Sequence, residues 1–135
     1  MGRYSATQQA IFSIFGLNTW TAENIKTFPQ DVVASNAGDE FVKVTIIPSG
    51  KGINRVSISG IVIIDIYTAS GLGPSRASAI ADKLDDYLCN KTVIISASRN
   101  VQFDRSTMVP KGIDSDNKTL VRSQYTIPFN LFGVN

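Results

Sequence analysis

The stretch that decides the fold is Arg55-Val56-Ser57-Ile58-Ser59-Gly60-Ile61-Val62-Ile63-Ile64-Asp65-Ile66-Tyr67, which passes through Thr68-Ala69-Ser70-Gly71-Leu72-Gly73-Pro74-Ser75 into a helical pattern ending at Cys89. Alternation places Val56, Ile58, Gly60, Val62, Ile64 and Ile66 on one strand face. Arg55, Ser57, Ser59, Ile61, Ile63, Asp65 and Tyr67 fall on the other, which is polar at its start and apolar in its middle, so both faces are expected to be covered in part. The helix from about Pro74 to Cys89 carries Ala77, Ile80, Ala81, Leu84 and Leu88 on one stripe and Asp82, Asp85 and Asp86 off it. A strand face and a helix stripe of matching length, joined by a short loop, predict a two-layer core.

This strand-to-helix turn is where an enzyme of such a shape would hold its chemistry. It ends in neither Gly-Lys-Ser/Thr nor GxGxxG, so a phosphate cradle is not indicated, although a helix N-terminus could in principle hold an anion. The chain has no histidine and one cysteine, Cys89, which excludes an internal disulfide and any Cys/His zinc cluster. Cys89 sits at a helix C-terminus, which opposes a thiolate and predicts an inert residue. Asp65 and Tyr67 share a strand face, but general acid/base work needs partners converging in a pocket and no other motif points there. The aspartates of the helix read as a solvated face. The expectation is a protein that is not an enzyme, with no cofactor and no metal.

Working outward, Ser5 to Phe15 predicts a first helix, capped by Ser5, with Ala6, Ala10, Ile11, Ile14 and Phe15 at helical spacing and Gly16 as its stop. Leu17 to Gly38 reads as irregular, with turn formers scattered around Pro29. Phe41 to Ile47 predicts a strand with Val42, Val44 and Ile46 on its core face, ended by Pro48, and 49–54 is glycine-rich enough for a hairpin into the long strand. Val93 to Ser96 predicts a short strand, and Ala97 to Lys118 a polar loop with turns at Pro110-Lys111-Gly112 and Asp114-Ser115-Asp116-Asn117. Thr119 to Ile127 closes the sheet, and Pro128 to Val134 reads as an apolar tail beyond it. The predicted fold is α+β: a single domain over residues 1–135, with one mostly antiparallel sheet packed by two main helices.

With 13 basic and 11 acidic residues in 135, the formal charge of +2 provides no field for nucleic-acid binding, and sequence-specific nucleic-acid contact is not expected. The longest apolar runs fall far below the roughly 20 residues of a membrane span, and the N-terminus shows no signal-peptide core. The single cysteine makes a reducing cytoplasm the simplest place of synthesis. At 43% hydrophobic and 18% charged, the composition is common in subunits that bury surface on assembly. Residues expected in such contacts are Ile61 and Ile63 on the less obvious strand face, and Phe129, Leu131 and Phe132 in the apolar tail. Arg99, Arg105 and Lys111 join them from the long polar loop, which would order against a neighbour.

Taken in order, Phe41-Val42-Lys43-Val44-Thr45-Ile46-Ile47-Pro48 with its hairpin, Gly60 to Tyr67 running through Gly71-Leu72-Gly73 into Ala79-Ile80-Ala81-Asp82-Lys83-Leu84, and the closing Gly112 to Phe129 give a chain that resembles the bacteriophage tail terminator proteins, the group typified by the lambda tail terminator. The resemblance covers about two thirds of the chain and rests on size, element order and hydrophobic pattern. It implies a subunit that assembles into a homo-hexameric ring on the end of the tail tube, stops tube polymerisation and offers its other face to the neck or head connector. The implied partners are further copies of the chain, the tail tube protein and a neck or head-completion protein, and the implied location is the tail or neck of a virion made in host cytoplasm. That family has no catalytic residues to carry over. A head-completion or neck adaptor protein of the same virion, and a small ligand-binding module, are the alternative readings.

Overall fold

The computed structural model describes residues 2–29, 38, 40–49, 55–71, 74–114 and 119–133. In chain order the elements are α1 (Arg3–Phe15), α2 (Asn18–Thr21), β1 (Thr27–Pro29), β2 (Phe41–Pro48), β3 (Ile58–Ala69), α3 (Ser75–Leu88), β4 (Thr92–Ser96), β5 (Arg99–Phe103), β6 (Thr107–Ile113) and β7 (Leu120–Gly133). The strands form one sheet in the order β1-β2-β3-β7-β5-β4. Every pairing is antiparallel except β1 with β2. The second long edge of β7 is shared by two short strands: β6 pairs with Val121 to Thr126, and β5 with Phe129 to Gly133. The mixed α+β class and the mostly antiparallel sheet expected from the sequence are both present.

Alternation along β3 sends Ile58, Val62, Ile64 and Ile66 to one side, all buried, and the same side of β7 presents Tyr125, Ile127, Phe129 and Leu131. The stripe Ala77, Ile80, Ala81, Leu84 and Leu88 of α3 closes over them, each residue buried. Val56 is the exception to the expected layer: it lies in the turn ahead of β3 and is half-buried. From α1, Ala10, Ile11 and Ile14 enter the same core, next to Val93 and Ile95. Both main helices therefore lie on one face of the sheet.

Several boundaries differ from those read in the sequence. α1 begins at Arg3 because the Ala6 N–H reaches the Gly2 carbonyl at 2.9 Å, so Ser5 lies inside the helix and Gly2 is its N-cap. The segment read as irregular holds α2 and β1. There Trp20 is 1% exposed, meets Phe15 and Tyr87 edge-on, and donates its indole N–H to Thr27 Oγ1 at 2.9 Å. The stretch read as a polar loop is mostly β5 and β6, and Pro110-Lys111-Gly112 is a bulge within β6. Of the expected hairpin connection at 49–54 and the expected turn at 114–117, residues 50–54 and 115–117 lie outside the described residues.

Gly60 shows how closely the central strands approach. A methyl group there would run into the Ile47 carbonyl, lie 2.9 Å from Pro48 Cα and press on the Phe129 ring at 3.0 Å. Outside the core, Arg76 near the start of α3 holds Glu40, just ahead of β2, through two charge-assisted hydrogen bonds, the second at 3.0 Å. Those bonds keep the Glu40 carboxyl below its usual range.

Candidate interaction surface

With both helices on one side, the other side of the sheet is built from the remaining half of each strand. Register fixes its rows. Ile47 lies opposite Ile61, which lies opposite Pro128; Thr45, Ile63, Thr126 and Thr107 follow; then Lys43, Asp65, Gln124 and Val109. Ile47 is 44% exposed and Val109 48%, while Ile61 and Ile63 are half-buried. The face is thus an apolar patch at Ile47, Ile61 and Ile63 with a charged band beside it, the row that runs from Lys43 through Asp65 and Gln124 to the exposed Val109. Apolar residues gathered this way on an uncovered sheet face are the usual mark of a contact surface.

In the charged band, Arg122 Nε lies 3.1 Å from Asp65 Oδ1. Both atoms are shielded from water and neither makes an aligned hydrogen bond, so the contact is Coulombic in character. At the far end of this band Tyr67 stacks on Phe41 with ring centroids 4.6 Å apart, and Phe28 meets Phe41 edge-on. Asp65 and Tyr67, considered above as an acid and a phenol on one strand face, are therefore engaged with Arg122 and Phe41 respectively.

The residues expected at an interface divide. Ile61, Ile63 and Phe132 do share the uncovered face, and α1 does not reach over Ile61 and Ile63. Phe129 and Leu131 are a correction: each is 1% exposed, on the core side of β7. The apolar tail is the second half of that strand, so alternation sends only Phe132 outward, opposite Asn100. Arg99, Arg105 and Lys111 do not converge. They are strung along one edge of β7, Arg99 half-buried in β5, Arg105 exposed in the turn after it and Lys111 exposed at the β6 bulge.

On the helix side, Asp85 was expected to be solvated and is not. Its Oδ1 accepts hydrogen bonds from Tyr125 Oη at 2.6 Å and Ser106 Oγ at 2.5 Å, tying α3 to β7 and to the start of β6. Burial first, then this bond to a carboxylate, pushes the Tyr125 phenol far above its ordinary value. The signal was the polar Tyr125 on an apolar strand face, which needs a partner when buried. Near the start of α3 a cleft of ≈ 540 Å³ is lined by Thr68, Pro74, Ala77, Met108, Val121 and Ser123 among others.

No family model matches the sequence, and no curated protein matches it. Solved structures do match the fold. One, whose name carries no function, superposes with a TM-score of 0.70 at 15% identity, covering 95% of this chain and 97% of its own. Another is a chain from the virion of a native gene transfer agent particle, with a TM-score of 0.69 at 14% identity, covering 97% of this chain and 98% of its own. A virion chain uses this fold. At such identities the likeness is one of fold, and it extends over nearly the whole length of each molecule.

Proposed function

We propose that this chain is a structural subunit of a phage-like virion, and within it a tail terminator: a protein that closes into a hexameric ring on the end of the tail tube, stops its growth and joins it to the neck. The observation that carries the reading is the end-to-end likeness to a chain of a gene transfer agent virion. A sheet with both helices on one side, leaving Ile47, Ile61, Ile63 and Val109 on the other, supports it, because a virion subunit buries such a face against neighbours. The order of elements supports the finer role, since it is the order that makes the sequence resemble the tail terminators. On this reading the protein performs no catalysis and works by shape and contact, in the virion tail or neck.

The test is assembly of the cognate tail tube protein with and without this chain. A terminator shortens the tubes in proportion to its concentration and is retained at one end. Tubes of unchanged length, with this chain binding purified head-completion or portal assemblies instead, would move it to the neck-adaptor role.

A further inference from the structure

We infer that the cleft of ≈ 540 Å³ beside the start of α3 binds a small uncharged molecule, one with an apolar body and a hydroxyl that Thr68 and Ser123 receive. Two hydroxyls stand there where the strand patterns would continue with apolar side chains. Along β3 the core side runs Val62, Ile64, Ile66 and then Thr68; along β7 it runs Ile127, Tyr125 and then Ser123. Thr68 is 2% exposed and Ser123 4%, and both line the cleft. Among the described residues neither side chain makes a hydrogen bond, whereas the neighbouring Tyr125 hydroxyl is held by Asp85. Neither hydroxyl is among the unpartnered atoms sealed from solvent, so each keeps its last contact with solvent through the cleft. Buried polar groups of folded proteins are nearly always satisfied, by the protein or by something bound to it.

The elements around the cleft give it depth. Asp85 accepts a hydrogen bond from Ser106 Oγ and so clasps α3 to the start of β6, about 10 Å along the helix from Ser78 at 1.5 Å per residue. Toward the N-terminus from that clasp, Ala77 and Ser78 form one wall and Met108 and Pro110 of β6 the other, over a floor that holds Thr68 and Ser123. Between Gly71 and Gly112 the cleft is open, since a Cβ on either would meet nothing within 4 Å. A few hundred Å³ of mostly apolar space with a small number of placed polar groups is the make-up of small-molecule sites.

The chemistry of the floor selects the ligand. Thr68 pairs opposite Val121 and Ser123 opposite Ile66, which makes the two hydroxyl residues diagonal neighbours with Cβ atoms roughly 7 Å apart. A single ligand hydroxyl lying between them can donate to one and accept from the other. The described lining is uncharged, and a charged group placed there would leave water without a counter-charge. Hydroxyls so deeply buried are within reach of a molecule that enters the cleft, and out of reach of a flat protein surface laid across it.

Titration of the isotope-labelled full chain, followed by its amide chemical shifts, tests this with three probes of similar shape. Benzyl alcohol carries the hydroxyl, ethylbenzene replaces it by a methyl group, and benzoate carries an anion. Benzyl alcohol is expected to shift the amides of Thr68, Ala77 and Ser123 and to bind at least about tenfold more tightly than either of the others, because a site built around hydrogen bonds rejects an analogue that lacks them. Thr68→Val combined with Ser123→Ala removes both hydroxyls and is expected to bring benzyl alcohol down to the level of ethylbenzene. Ser78→Trp fills the cleft from an exposed position on α3 and is expected to abolish binding of all three. Circular dichroism confirms folding, and Ser78→Trp decides should the double variant not fold. Any of four results overturns the proposal: no shift at these amides up to the solubility of the probes, which leaves water alone on the hydroxyls; equal binding of ethylbenzene; tighter binding of benzoate, which makes the helix N-terminus an anion site; or shifts confined to the Ile61 and Ile63 face. Tube shortening does not depend on any of these outcomes, so the virion role stands or falls separately.

Discussion

At Gly60 the absence of a side chain is a packing requirement. The methyl of Gly60→Ala has to displace backbone of β2 and the ring of Phe129, and overpacking of that kind typically costs about 1–3 kcal/mol. Urea denaturation of the variant measures it, and an unchanged midpoint would mean that β2 can move away from β3. Tyr125 offers a pH-dependent counterpart. Its phenol is held protonated in the folded protein, above the ordinary value of 10.0. The folded state keeps this proton while an unfolded chain releases it, so stability from this residue is fully present below pH 10 and declines as pH rises beyond it. Wild-type protein is expected to lose stability above that pH more steeply than Tyr125→Phe. Asp85→Ala leaves the buried hydroxyl without its acceptor and should cost about 1–3 kcal/mol, which Tyr125→Phe in the same chain largely offsets.

Elements differ in how far the sequence disclosed them, and the reason is which faces they bury. α3 and β3 were readable because one side of each is apolar over most of its length and meets the other. Leu84, fully buried between them, is expected to cost about 2–5 kcal/mol as Leu84→Ala in equilibrium unfolding. β6 was not readable, since it is an edge strand with a bulge and nearly every residue exposed, so neither alternation nor apolar content signals it. β5 hid behind Arg99, Asn100 and Gln102, although Val101 and Phe103 are core residues. Trp20 was silent because α2 is a single turn, too short for a periodic pattern to form. The end of β7 misled by composition: Phe129-Asn130-Leu131-Phe132 looks like a greasy tail, yet its alternation is that of a half-covered strand. Removing the residues after Pro128 is therefore expected to abolish folding, with loss of the circular dichroism signal, because β5 loses its partner and the core loses Phe129 and Leu131. Phe132→Ser, on the uncovered side, should leave a folded protein.

For the whole molecule, the asymmetry between the two sides of the sheet is what connects fold to function. Ile61, Ile63 and Phe132 were legible as candidate contacts since an apolar run too long for one face must place some residues on the other. The side covered by α1 was not, because its amphipathic stripe does not say which sheet face it will cover, whereas the stripe of α3 was matched to the Ile58, Val62, Ile64 and Ile66 face by its length and the short loop. The double substitution Ile61→Lys with Ile63→Lys should keep the fold, as both side chains are only half-buried, while weakening assembly on the tail tube. A melting temperature near that of the wild type, together with restored tube growth, is the expected outcome. Unaltered tube shortening would remove this face from the contact surface.

The most direct measurement is electron microscopy of negatively stained particles of the purified protein, alone and with tail tubes. Closed rings about six times the 14.6 kDa subunit mass, seated at one end of each tube, are the expected result. Single subunits in both samples, with bare tube ends, would contradict it.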